Sequence, residues 1–143
     1  MKKKANYGLL LLGFLLVHPS SRLNAQKEET EYEVEARLVS FEDLAYPGIA
    51  RMTRIQGIVI VKAELDEKGN VVAASALSGP KPLISDCLSN VKKWKFKPNS
   101  KNTLIVYDFR LDDGACHDAS HSLFRLIHPN FATITACNPV IVG

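Results

Sequence analysis

The run "GIVIVKAELDEKGNVVAASAL", residues 57–77, leaves little room for anything but a β-hairpin. Val59, Val61, Ala63 and Leu65 fall on alternate positions, and a stretch so dense in β-branched residues suits the pleated, half-buried surface of a strand. Gly69 supplies the left-handed backbone that a short hairpin loop requires, while Asp66 and Asn70 supply turn-forming side chains. Residues 71–77 return as the second strand, and "SGPKP" at residues 78–82 breaks the sheet.

The hydrophobic period then changes. Leu83, Ile84, Cys87, Leu88, Val91 and Trp94 recur at steps of three and four, which predicts an amphipathic helix with Ser85, Asp86, Ser89, Asn90, Lys92 and Lys93 on its polar face. The next core-facing residue, Phe96, comes only two positions after Trp94, so helix gives way to strand between them. Lys93, Lys95 and Lys97 can then snorkel into water, and Pro98 blocks continuation of the helix. "NVKKWKFKPN" therefore reads as the seam of a core with a charged rim, not as a basic-aromatic ligand surface.

On either side of this unit the period of two returns. Ile105, Tyr107, Phe109 and Leu111 alternate with Val106, Asp108 and Arg110, and "SLFRLI" and "FATITA" are short strand-like pieces separated by His128, Pro129 and Asn130. Upstream, Tyr32, Val34, Ala36 and Leu38 alternate with Glu31, Glu33, Glu35 and Arg37. "SFED" at residues 40–43 has the form of a capping box, and Pro47 is suited to a first helical turn, so a short helix is expected over residues 47–53. The expected fold is α+β: two helices on one face of a small antiparallel sheet, with a C-terminal strand extension.

The first 25 residues read as a leader. Met1 is followed by three lysines, residues 8–17 are unbroken apolar, and Leu23-Asn24-Ala25 ends in a small residue suited to cleavage. A membrane span needs about 20 apolar residues, and this run is interrupted by His18 and Pro19. Residues 1–25 are therefore expected to be a signal peptide, 26–43 a lead-in with the first strand, 44–111 the central domain and 112–143 an extension. An inner-membrane anchor is the alternative. Without Lys2, Lys3, Lys4 and Arg22, the 18 basic residues fall to 14 against 15 acidic ones. That balance argues against nucleic acid, whose partners carry a marked basic excess.

Export would place Cys87, Cys116 and Cys137 where disulfides persist. Cys87 lies on the apolar helix face and suits a buried thiol. A bridge between Cys116 and Cys137 is the favoured pairing and would contribute about 3 kcal/mol by closing its loop.

"YPGIA" at residues 46–50, "GIVIV" at 57–61, "DEKGNV" at 66–71, "SG" at 78–79, Leu83 opening a helix and "WKFKP" at 94–98 stand in the order and spacing of the TonB C-terminal domain family. The chain resembles that family over about residues 44–111, with Tyr46, Pro47, Gly57, Gly69, Trp94, Phe96 and Pro98 as the motif positions. The resemblance implies a periplasmic domain with two helices against a three-stranded antiparallel sheet. It also implies contact with outer-membrane TonB-dependent transporters, whose N-terminal peptide adds as a strand to an open sheet edge. Carried over by position, that edge is the strand with Thr103, Ile105, Tyr107 and Phe109. Coupling to the ExbB and ExbD partners is not carried over, because the apolar run is short and a proline-rich spacer is absent. The tail after Leu111 departs from the family and is positioned to cap the same edge, which makes a closed module with another envelope partner the alternative.

Catalytic signatures are absent: the sequence has no nucleophile elbow, phosphate loop or dinucleotide fingerprint. No cofactor is expected, and no catalytic residue is assigned. His117 and His121, four apart beside Cys116, suggest a small metal-binding protein as the competing class, but no second ligand pair has the usual spacing.

Overall fold

The hairpin at residues 57–77 is the spine of the computed structural model, which describes residues 36–112 and 122–140. The elements run β1 (Leu38–Ser40), α1 (Gly48–Met52), β2 (Gly57–Leu65), β3 (Val71–Ser78), α2 (Lys81–Val91), β4 (Lys95–Phe96), β5 (Asn102–Asp112), β6 (Ser122–His128) and β7 (Phe131–Cys137). Five strands form one sheet in the order β3-β2-β5-β7-β6, and β1 pairs with β4 in a second, two-stranded sheet.

The turn between β2 and β3 is built as its residues require. The Asp66 carboxylate accepts from the Lys68 and Asn70 amides at 2.9 and 2.8 Å and from Asn70 Nδ2 at 2.9 Å. These bonds, led by that of the Asn70 side chain, hold the Asp66 carboxyl below its ordinary pKa. Gly69 has φ 83°, and a side chain there would collide with the Phe96 carbonyl. The close approach is used: the Phe96 amide donates to the Gly69 carbonyl at 2.8 Å, stitching β4 to the hairpin tip.

Alternation along the strands separates a buried face from an exposed one. Val59, Val61 and Ala63 of β2, Ile105 and Tyr107 of β5, and Ala132 and Ile134 of β7 have no solvent exposure. Leu83, Cys87 and Val91 of α2 and Ala50 of α1 join the same core, and α2 lies against β2 and β3. The helix ends at Val91, one turn before the apolar period does, and Trp94 follows a turn in which its amide donates to the Val91 carbonyl. Trp94 and Phe96 are both buried, while Lys93, Lys95 and Lys97 are exposed, so the seam is a core junction.

Three local expectations need correction. The sheet is mixed: β2 is antiparallel to β3 and β5, but β5 and β7 are parallel, from Val106 opposite Phe131 to Asp112 opposite Cys137. The cause is the order of addition. The chain reverses into β6 and again into β7, and it is β7, now running with β5, that takes the inner position. The capping box at residues 40–43 caps nothing, because Ser40 ends β1 and α1 starts only at Gly48, with Pro47 at its N-cap and no side-chain cap. Asn90, counted with the polar helix face, is buried.

Candidate partner-binding surface

The strand assigned to partner binding is not an edge. β5 lies between β2 and β7, and Thr103, Ile105, Tyr107 and Phe109 all point into the core with at most 1% exposure. β7 pairs with it from Val106 to Asp112, so the expected edge is corrected to an interior strand along residues 106–112. Thr103 is further tied down: its hydroxyl accepts from Asn130 Nδ2 at 2.9 Å.

The outer edges of the five-stranded sheet are β3 and β6. β6 turns Phe124 and Leu126 toward the core and Leu123 and Ile127 outward, the last two each 51% exposed. Residues just after β1 run past it: Phe41 stacks on Phe124 with ring centres 5.7 Å apart, and the Tyr46 amide donates to Ser122 Oγ at 3.0 Å. Between β1 and the end of β6 lies a groove of about 350 Å³, walled by Leu38, Val39, Phe41, Leu126, Ile127 and Pro129. A second groove, of about 560 Å³, opens on the other side of the His128–Pro129 corner, against Leu104, Val106 and Phe131.

The motif residues serve the scaffold beneath this surface. The Tyr46 hydroxyl donates to the Ile55 carbonyl at 2.6 Å, its ring meets Phe109 edge-on at 5.3 Å, and burial pushes its pKa up to about 12. Gly57 opens β2 at φ 142° opposite Phe109 and packs close to the Pro80 ring. Trp94 contacts Phe41, Phe96 and Tyr107, with ring centres 5.9, 6.4 and 5.8 Å apart. Pro98 is exposed, where it ends the seam.

Sequence reasoning missed the residue that organises this cluster. Asn90 Oδ1 accepts from Trp94 Nε1 and from the Tyr107 hydroxyl, both at 2.9 Å, while Nδ2 donates to the Glu42 and Asp43 carbonyls at 3.0 and 3.2 Å. One amide thus binds helix, seam, central strand and the segment leading to α1. The signal available was weak: Asn90 and Trp94 are four apart and so share a helix face, but Asn90 precedes Lys92 and Lys93 and reads as solvated. Asp108 was likewise placed on the polar face. It is buried, and its Oδ2 accepts from Arg110 Nε at 2.7 Å and pairs with Arg110 Nη2 at 2.5 Å.

Cys87 is a free, buried thiol whose pKa is pushed to about 12, first by burial and then by the nearby Asp86 carboxylate. At pH 8 it should not react with a thiol reagent until the protein unfolds. Because the folded state holds this proton more tightly, its stabilising effect is complete below the ordinary thiol pKa and is lost as pH rises from about 9 toward 12. Urea unfolding between pH 8 and 11 checks the sign, with Cys87→Ala removing this contribution to the pH dependence.

Cys116, His117 and His121 lie outside the described residues. Among the described residues, no three His, Cys, Asp or Glu side chains gather as a metal site, and no helix is long and apolar enough to cross a membrane. The described surface thus offers sheet edges and apolar grooves.

Comparison with known proteins agrees with the motif order. The family model for the Gram-negative bacterial TonB protein C-terminal matches residues 42–111. Protein TonB of Vibrio cholerae serotype O1 (strain ATCC 39315 / El Tor Inaba N16961) is 39% identical over 56 residues, covering 38% of this chain and 23% of that protein. The chain therefore spans less than a quarter of this relative's length. No solved structure matches it. With the ordered motifs and the antiparallel β3-β2-β5 core, these matches support a domain of the TonB C-terminal family over residues 42–111.

Proposed function

We propose that this chain is a non-enzymatic, TonB-like interaction module of the periplasm that binds an extended peptide of an envelope protein along β6. An outer-membrane TonB-dependent transporter is the partner class that the family suggests. The observation carrying the reading is that β7 lies along β5, which moves the available sheet edge outward to β6. Strand addition draws affinity from main-chain hydrogen bonds and selectivity from side-chain pockets. β6 has both requirements beside it: an outer edge, and the apolar groove against Leu38, Val39 and Phe41.

Cleavage after Ala25 and a bridge from Cys116 to Cys137 belong to the same proposal. The bridge would tether the end of β7 to the segment leading into β6 and keep the cap in place. Energy transduction through ExbB and ExbD is not part of it.

Two measurements test this. Intact mass of protein from separated periplasmic and membrane fractions should give a soluble species starting at Gln26 and lighter by two hydrogens; a full-length species in the inner membrane would overturn the export reading. Titration of labelled mature protein with synthetic N-terminal peptides of TonB-dependent transporters should shift backbone amides of residues 122–128. Shifts confined to β3, or none with any peptide, would sink the binding reading.

A further inference from the structure

The rings of the Trp94–Phe96 seam are held in the core, but its lysines are not. From Cys87 to Tyr107 the chain carries five lysines, Lys92, Lys93, Lys95, Lys97 and Lys101, and no carboxylate. All five are exposed, and among the described residues only Lys93 has an acidic partner, Glu42 at 2.9 Å.

The pairing of β1 with β4 gathers this charge on one surface. Phe96 lies opposite Leu38, and both pack against the core. The Lys97 amide donates to the Arg37 carbonyl at 2.8 Å, which sets Arg37 beside Lys97. Alternation then puts Arg37, Val39, Lys95 and Lys97 on the outer face of the two-stranded sheet, where all four are exposed and none is acidic. On the far side of β4, the Phe96 bond to the Gly69 carbonyl draws in the hairpin tip with exposed Lys68. Of the two carboxylates at that tip, Asp66 is engaged by Lys68 and Asn70, so Glu67 is left against this group of cations.

The form of the charge decides what the face fits. Lys95 and Lys97 are compact point charges on flexible stems, and they wall neither of the two grooves. Open lysines match a diffuse negative potential better than a single positioned carboxylate. The apolar side chains beside them point the same way: Val39 is 57% exposed on the face itself, and Phe41, two residues on, is 41% exposed. A bilayer of anionic phospholipid supplies both partners, phosphates for the cations and an interfacial layer for the apolar groups.

We infer that the outer face of β1 and β4 docks on the surface of an anionic phospholipid bilayer, with Arg37, Lys95 and Lys97 toward the phosphates and Val39 at the interface. The contact needs nothing from the β6 edge and holds with or without a peptide there.

The test is co-sedimentation of protein starting at Gln26, which includes every described residue, with phosphatidylcholine vesicles that contain or lack phosphatidylglycerol. The protein binds only the anionic vesicles at low salt and is released near about 1 M salt, where the screening length is about 3 Å. Lys95→Gln with Lys97→Gln weakens binding on the order of 25-fold, at about fivefold per lysine. Arg54→Gln with Lys81→Gln makes the same change in net charge at the other end of β2 from the hairpin tip, and leaves binding nearly unchanged. All four positions are exposed, and urea unfolding checks that both variants fold. A bimane label on Val39→Cys shifts to the blue on the anionic vesicles. No binding to those vesicles at low salt, equal loss in the two double variants, or an unshifted label would overturn the inference. So would capture by soluble polyglutamate but not by vesicles, which would assign the face to an acidic protein.

Discussion

Replacing Trp94 with alanine lowers the unfolding free energy in urea by about 3 to 5 kcal/mol, the range of large aromatic truncations in a packed core. Trp94 is 2% exposed and contacts rings from three directions: Phe41 before α1, Phe96 of β4 and Tyr107 of β5. The cavity cannot close easily, because Phe96 is fixed by its backbone bond to Gly69 and Tyr107 by its position in the central strand. Trp94→Phe separates the two parts of the effect. It keeps much of the ring area but loses the indole N–H, leaving Asn90 Oδ1 with Tyr107 alone, so its cost should be well under half that of alanine. A near-neutral Trp94→Ala would mean that the ring is solvated in solution and would return the basic-aromatic stretch to consideration as a ligand surface.

Local chemistry made much of this fold legible. The β2–β3 hairpin was readable because a nine-residue strand, a glycine in the left-handed region and an Asp–Asn turn all favour one conformation. The pair β6 and β7 was readable because Pro129 and Asn130 interrupt two alternating runs, and the turn falls between His128 and Phe131. The seam was readable from the shift in spacing at Trp94 and Phe96.

Sheet order was not readable in the same way. Alternation says which face of a strand is buried but carries no information about which strand lies on either side. Ile105, Tyr107 and Phe109 would show the same pattern at an edge or in the interior. The expected partner site therefore rested on family position, and β7 took that place through a pairing across more than twenty residues of chain. Asp108 shows the same limit. Its burial depends on Arg110, on its own strand, and on β7 beside it, and no period in the sequence announces that pair.

Asn90→Ala should cost about as much as losing the tryptophan, roughly 3 to 5 kcal/mol, although it removes far less apolar surface. The loss comes from the groups left behind. The Trp94 indole N–H, the Tyr107 hydroxyl and the Glu42 and Asp43 carbonyls each lose a partner, and a buried polar group without one costs about 1 to 3 kcal/mol. A double-mutant cycle with Tyr107→Phe tests that origin through its sign. In the wild-type background, removing the Tyr107 hydroxyl breaks a good bond and should cost about 1 kcal/mol. In the Asn90→Ala background the same change deletes a donor that already lacks an acceptor, so it should be neutral or stabilising. Equal costs in both backgrounds would mean that Asn90 acts only by filling space, and the four bonds would then have no part in holding α2, β5 and the segment beside β6 together.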